Sequence, residues 1–344
     1  MLIEFDASRL SAFGDSKDSV FCLITSRELA GIFVVNPGPN YSKSEILTFD
    51  GNMDFGHFVV DQVPLNSHVL TVLPNAYVRS PSPAELGPQR KLAVMACAST
   101  PTSVEAIAHF LAMGERSDPE EENRRADAFF TRGQETESLS FTDDRFGTVA
   151  TFRHLEESLV WHEQAGSLGW GEQQLFPSGE VSVLSVSVFG QDIDRTLDIE
   201  GEIALCGAAI LHSGTPSFLP EDQQRIYQEL TTLADHAVIL ELKDGRVTSV
   251  HETSRAAAPA ARMLEKMMDV DSRYAILLEI GFGINSTIEL FPGNTAMNEV
   301  YGGRSGAVHF GLGLTPYTQY HLDVICPHIK VLGTEGQVLF GAGS

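Results

Sequence analysis

The feature that most constrains this chain is its supply of short apolar runs with a two-residue period. The clearest begins at Glu180, where "EVSVLSVSVFG" alternates polar and apolar side chains, broken once by the adjacent Val183-Leu184. An extended backbone turns successive side chains to opposite faces, so this pattern specifies a half-buried strand. The first hundred residues alternate five further short apolar runs with turns: "SVFCLITS", "AGIFVVNPG", "SEILTFD", "HVLTVLPNA" and "KLAVMACAS". They are rich in Val, Ile and Phe and are punctuated by Gly, Pro and Asn, which marks strands separated by turns.

Helical periods fall between the strands. "TPTSVEAIAHFLAMG" opens on Ser/Thr caps and repeats apolar residues at helical spacing, and "LPEDQQRIYQELTTLADH" and "SRAAAPAARMLEKMMDVD" read the same way. "ERSDPEEENRRADAFFTRGQETES" predicts a solvated helix plus loop, and "TVATFRHLEESLVWHEQ" a strand running into a helix. "DIEGEIALCGAAILHSG" gives two strands, and "HAVILELKDGRVTSVHE" a hairpin with Asp244-Gly245 at its turn. The fold class is therefore α/β (α+β) and, at 344 residues, two-domain. The expected division is an N-terminal α/β domain over residues 1–165 and a β-rich C-terminal domain over residues 166–344.

Charge and cysteine usage exclude several functions. Against 23 Lys plus Arg stand 46 acids, a formal charge of −23, which repels phosphate backbones and argues against nucleic acid. The same field tolerates metals and basic or amine-bearing peptides. No apolar run is long enough for a bilayer and "MLIEFDASRL" has no basic start, so neither a membrane nor a secretory route is expected, and a cytoplasmic location is the default expectation. Cys22, Cys97, Cys206 and Cys326 lie far apart in apolar stretches and read as buried reduced thiols. Trp161 and Trp170 read as packing residues, with cleft lining the alternative.

The chemistry concentrates near the C-terminus, in "AVHFGLGLTPYTQYHLDVICPH". Two residues apart on one strand, His321 and Asp323 share a face, ~6.5–7 Å apart along the backbone, and suit one metal. Gly311 and Gly313 share the face of His309 and leave space beside it, and Glu279 ends the apolar "YAILLE" just before a glycine-rich turn. Two histidines with one or two carboxylates form a set for zinc, or for iron(II). His328 follows Pro327 and falls outside this set, while Glu252 and Glu299 are acids in loop-like surroundings. The plainer alternative makes the histidines hydrogen-bonded core residues and the acids solvated surface groups.

"YAILLEIGFGIN", "AVHFGLG" and "YHLDVI", together with "LFPSGEVSVLSVSV" and "DGRVTSVHETSRAAAPAARMLEKM", resemble the C-terminal domain of the aminopeptidase T metallopeptidases. The related dihydroxypyridine ring-cleaving dioxygenases share that domain, and the likeness covers about residues 170 to 334 in the family's order. The resemblance implies a metal site of Glu279, His309, His321 and Asp323, holding zinc first, iron or manganese next, or no ion at all. It implies Glu299 or Glu252 as general base and anchor for a peptide's amino end. The "NEVYGGRSGAVH" stretch is longer than the peptidase pattern, and the gap from His309 to His321 is short.

Three functions follow as expectations. The first is a peptide-binding protein on this scaffold, similar to those of crocagin-type peptide natural-product pathways, with a precursor peptide as partner. The second is an active metal-dependent aminopeptidase. The third is an iron-dependent ring-cleaving dioxygenase. Relatives of this superfamily associate, so a homodimer is the expected assembly.

Overall fold

The computed structural model of the chain describes every residue except 75, 101, 158, 186–195, 290, 292–305, 314–316 and 342–344. The chain forms two compact units, one from Met1–Asn123, Gln164–Ser178 and Thr287–Met297, the other from Arg124–Glu163, Gly179–Ser286 and Asn298–Ser344. The segments interleave, so no single cut of the sequence separates them.

The first unit is built on a parallel sheet of five strands. In spatial order these are Gln173–Phe176, Arg90–Met95, Ser67–Val72, Val20–Thr25 and Lys43–Thr48. Parallel strands covered on both faces need apolar side chains on both, and every residue of Ser67–Val72 is buried. The five strand runs read from the sequence are all present, the second as Phe33–Asn36 in a separate parallel pair with Ile3–Asp6. The Val104–Gly114 helix is capped by Ser103, whose side chain accepts from the Ala106 amide.

The second unit is a sandwich of two sheets. Its first sheet runs Leu159–Gln164, Glu180–Ser185, Leu277–Gly283, Ala307–Leu312, Tyr320–Cys326, Ala208–Ser213. Its second runs Arg246–Glu252, Val238–Lys243, Ile199–Leu205, Thr148–Phe152, Leu139–Asp143, Lys330–Leu332, Val338–Gly341. Alternate residues of both sheets meet in one core, where Phe141 lies 5.5 Å from Phe310 and 6.2 Å from Phe282 between ring centroids. Each such ring removed from water contributes about 1.5–3 kcal/mol. The Asp244-Gly245 turn has both residues at positive φ, 49° and 69°, as a two-residue hairpin of this twist requires.

Two expectations are corrected here. Among its described residues "TVATFRHLEESLVWHEQ" contains no helix: it forms Thr148–Phe152 and Leu159–Gln164, and Leu159 and Trp161, two apart, both pack on the sandwich core. The Pro119–Gln134 helix is not simply solvated, since Glu122 and Ala126 are buried and Phe129 packs on the core. All four cysteines are buried free thiols.

Candidate metal and peptide site

The first sheet of the second unit sends one face into the core and gathers charge on the other. Antiparallel register fixes which residues share that second face. Glu180 stands opposite Gly283 and Ser182 opposite Gly281, while Gly281 stands opposite His309. Glu279 pairs with Gly311 and Gly311 with Asp323; on the far side Ile210 meets Asp323 and His212 meets His321. Glu180, Glu279, His309, His321, Asp323 and His212 are thus neighbours on one pleated surface, drawn from five strands. The intervening residues, such as Ile280, Phe282, Val308, Phe310 and Val324, form the core face.

Glycine makes the crowding possible. A Cβ on Gly281 would lie 1.9 Å from Cε1 of His309, so that imidazole occupies the space where a side chain would stand. A Cβ on Gly311 would lie 2.9 Å from both Asp323 Oδ1 and Glu279 Cβ, and 3.1 Å from Cε1 of His321. These glycines are the floor of the site.

Nε2 of His321 is 3.1 Å from Asp323 Oδ1 and 3.4 Å from Glu279 Oε2; Nε2 of His309 is 4.0 Å from the same Asp323 oxygen. His212 adds its Nε2 at 3.3 Å from Asp323 Oδ2. His321 Nδ1 donates to the Gly313 carbonyl, which sets the ring's orientation and leaves Nε2 facing the carboxylates. His309, Asp323 and Glu180 are each 2 % exposed or less.

The electrostatics follow from burial and close opposite charge. Burial by itself would push the Asp323 carboxyl up, but the His321 and His309 charges outweigh it and hold Asp323 well below the usual carboxylate range. Burial would likewise lower His321, yet Asp323 and Glu279 hold it well above the ordinary imidazole value. For Glu279 the upward push of burial is overcome first by the hydrogen bond with His321, and the net shift is downward. His321 is therefore a cation set among carboxylates.

Among the described residues, two sets of three groups lie close enough to hold an ion: Glu180, Glu279 and His309, and Glu279, His321 and Asp323, each with ligand atoms within 4.8 Å of one another. Glu279 belongs to both. Donor atoms on a tetrahedral zinc stand about 3.4 Å apart, so a trio whose atoms lie within 4.8 Å closes on one ion by contracting at most about 1.4 Å. Among the described residues, Nε2 of His309 is buried without a hydrogen bond, which is the state of a ligand atom prepared for a cation.

All four residues read from the sequence as metal ligands thus lie together. Glu299 lies outside the described residues. Glu252 is exposed at the end of the Arg246–Glu252 strand in the second sheet and belongs to neither trio. Sequence reasoning missed Glu180 and His212, although the acid that opens the alternating "EVSVLS" strand was a usable signal for the first.

The chain matches the family model described as crocagin biosynthetic protein CgnE/B over residues 52–332. No curated protein sequence matches it. Among solved structures it is similar to 2,5-dihydroxypyridine dioxygenase from Pseudomonas putida KT2440, at 16 % identity and TM-score 0.57, covering 96 % of this chain and 92 % of that one. It is also similar to wild-type AmpT from Thermus thermophilus, at 12 % identity and TM-score 0.47, covering 96 % and 95 %. The dioxygenases are one of the groups that the sequence motifs resemble, and that likeness extends a shared fold over nearly the whole chain.

Proposed function

From the premise that this chain belongs to the crocagin biosynthetic protein CgnE/B family, we propose that it recognises a precursor peptide in natural-product biosynthesis, using the acidic histidine face of its second unit. The observation that carries the reading is the face itself: Glu279 and Asp323, both with lowered pKa, beside imidazoles on a sheet whose opposite side is a closed apolar core. Such a face attracts cations, whether a divalent ion or the ammonium end of a peptide.

The donor set fits a divalent metal, zinc before iron or manganese, with Glu279, His309, His321 and Asp323 as ligands and Glu180 completing the first trio. A bound ion would polarise a peptide carbonyl and lower the pKa of a coordinated water. The protein's own part is to orient. The Gly313 carbonyl fixes the His321 ring, Gly281 seats His309, and Glu279 spans both trios. That shared carboxylate favours a second reading, a metal-dependent aminopeptidase, which needs one acid common to two ions. Ring cleavage gains from the dioxygenase likeness only a shared fold.

The test is elemental analysis of protein purified without chelator or nickel resin, paired with fluorescence anisotropy of a labelled precursor peptide. One or two ions per chain, lost in Asp323→Ala together with at least tenfold weaker peptide binding, is the expected result. A metal-free protein whose peptide binding ignores Asp323→Ala would refute the assignment of this face. Release of the peptide's first residue by the metal-loaded protein would establish the second reading.

A further inference from the structure

His212 touches two of the three groups in the trio of Glu279, His321 and Asp323. Its Nε2 stands 3.3 Å from Asp323 Oδ2, and its ring lies 6.1 Å from the His321 ring between centroids, inclined by 25°. Among the described residues, neither trio able to hold an ion includes it. It stands beside the ligands rather than among them.

The backbone puts it there. In the Ala208–Ser213 strand, Leu211 pairs with Leu322 on the core side and His212 pairs with His321 on the other. The Leu211 carbonyl accepts from Gln223 Nε2 at 2.7 Å, which ties the strand to the Pro220–Leu230 helix one residue before His212. The His212 side chain is 11 % exposed, and its Nε2 is cut off from solvent.

The two oxygens of Asp323 face different partners. Oδ1 is 3.1 Å from His321 Nε2 and 4.0 Å from His309 Nε2, whereas Oδ2 faces His212. Burial opposes ionisation of Asp323, but the His321 and His309 charges outweigh it, so the carboxyl is ionised. An ionised carboxylate only accepts, so Nε2 of His212 carries the proton and offers no lone pair to an ion.

We infer that His212 is a positioning residue: by donating from Nε2 to Oδ2 it holds Asp323 with Oδ1 alone turned toward Glu279 and His321, a one-oxygen ligand for a small divalent cation such as zinc. The inference rests on the reading of this face as a metal site and adds the group that sets its geometry. Hydrogen-bonded supports of this kind are worth about ten- to a hundredfold in metal affinity. A carboxylate free to turn can grip an ion with both oxygens, as calcium sites use it.

The test compares the full parent chain with two variants. His212→Phe keeps a ring against His321 and removes the donor, and His212→Gln returns an N–H to about the place of Nε2. Zinc affinity is read by competition with a chromophoric chelator, and coordination by the visible absorption of the cobalt(II)-loaded protein. His212→Phe is expected to bind one zinc about ten- to a hundredfold more weakly and to show fainter cobalt bands, as higher coordination gives. His212→Gln is expected to restore both toward the parent. Zinc affinity and cobalt bands unchanged in His212→Phe overturn the inference and leave the metal reading standing. A His212→Gln chain as weak as His212→Phe also overturns it, since the ring and not the donor then matters. A parent chain that binds no zinc refutes the metal reading and the inference together. Nitrogen-15 spectra of the folded parent, labelled at histidine, decide the proton directly: Nε2 of His212 protonated with and without zinc is expected, and a bare or metal-bound Nε2 overturns the inference.

Discussion

Adding one methyl group to Gly281 separates the two halves of the histidine–carboxylate site. An alanine Cβ there would stand 1.9, 2.4 and 2.6 Å from Cε1, Nε2 and Nδ1 of His309. Ordinary contact begins near 3.4 Å, so the imidazole must retreat by about 1.5 Å. The backbone of His309 cannot supply that movement, since it is laddered on both sides, to Gly281 and to Ile325. The ring has to rotate, and its Nε2 then leaves Glu180 and Glu279. Overpacking of this kind costs about 1–3 kcal/mol, or roughly 3–10 °C in the melting of a unit this size. The atoms nearest the new methyl all belong to His309, so the trio of Glu279, His321 and Asp323 keeps its geometry. Gly281→Ala is therefore expected to lower metal content by about one ion per chain where the parent holds two, read by mass spectrometry on chelator-free protein, with a fall in Tm by calorimetry in either case. Gly311→Ala, whose methyl meets Asp323, Glu279 and His321 at 2.9–3.1 Å, strikes the other trio instead. An unchanged Tm and unchanged metal content in Gly281→Ala would refute the seating of His309 on that glycine.

Four further outcomes are expected. Asp323→Asn leaves the His321 cation buried with Glu279 as its remaining carboxylate partner among the described contacts, and in chelator should cost about 3–5 kcal/mol by urea unfolding; a loss under about 1 kcal/mol would contradict the pairing. The same pair sets a pH window: the raised His321 pKa gives stability that fades as pH rises through it, and the depressed Asp323 pKa gives stability that fades as pH falls through it, so Tm should peak between. Burial raises Glu122 from 4.5 to about 7, despite hydrogen bonds from Ser178 and the Gly166 amide; stability it supplies below pH 4.5 is lost progressively as pH rises from 4.5 through 7, and Glu122→Gln should flatten the Tm profile over that range. Gly245→Ala places a Cβ 2.3 Å from the Leu197 carbonyl oxygen at a φ of 69° and should destabilise by about 2 kcal/mol or more; a neutral effect would mean that the hairpin turn is not as described.

What the sequence disclosed about the site follows the range of the physics involved. The pairing of His321 with Asp323 was legible because a two-residue period is a local property of one strand. Glu279 and His309 were legible because glycines beside them announced space. Glu180 and His212 were not, because their membership depends on register with strands about a hundred residues away, Glu180 against Gly283 and His212 against His321. Glu252 failed for the same reason in reverse: its loop-like surroundings say nothing about which sheet its strand joins. The Pro119–Gln134 helix concealed its buried residues, Glu122, Ala126 and Phe129, behind a charge run that dominates its composition.

The register of this sheet is fixed more firmly than its ligands require. A one-residue slip of Ala307–Leu312 would turn Phe310 and Val308 out to the acidic face and drive His309 into the cluster around Phe141 and Phe282. Losing two fully buried apolar side chains from the core costs several kcal/mol, and burying an unpaired imidazole there adds more. The apolar face therefore holds the strands in place whether or not the polar face binds anything. Single ligand substitutions should accordingly leave the sheet folded, with the strand amides of Phe310 and Val324 protected from hydrogen exchange in Asp323→Ala as in the parent chain. On such a scaffold the ligands can change while the cleft geometry persists, so binding of a peptide can outlast hydrolysis of one. Exchange protection lost throughout Ala307–Leu312 in that variant would show instead that the ligands hold the register, and the separation of fold from site would fail.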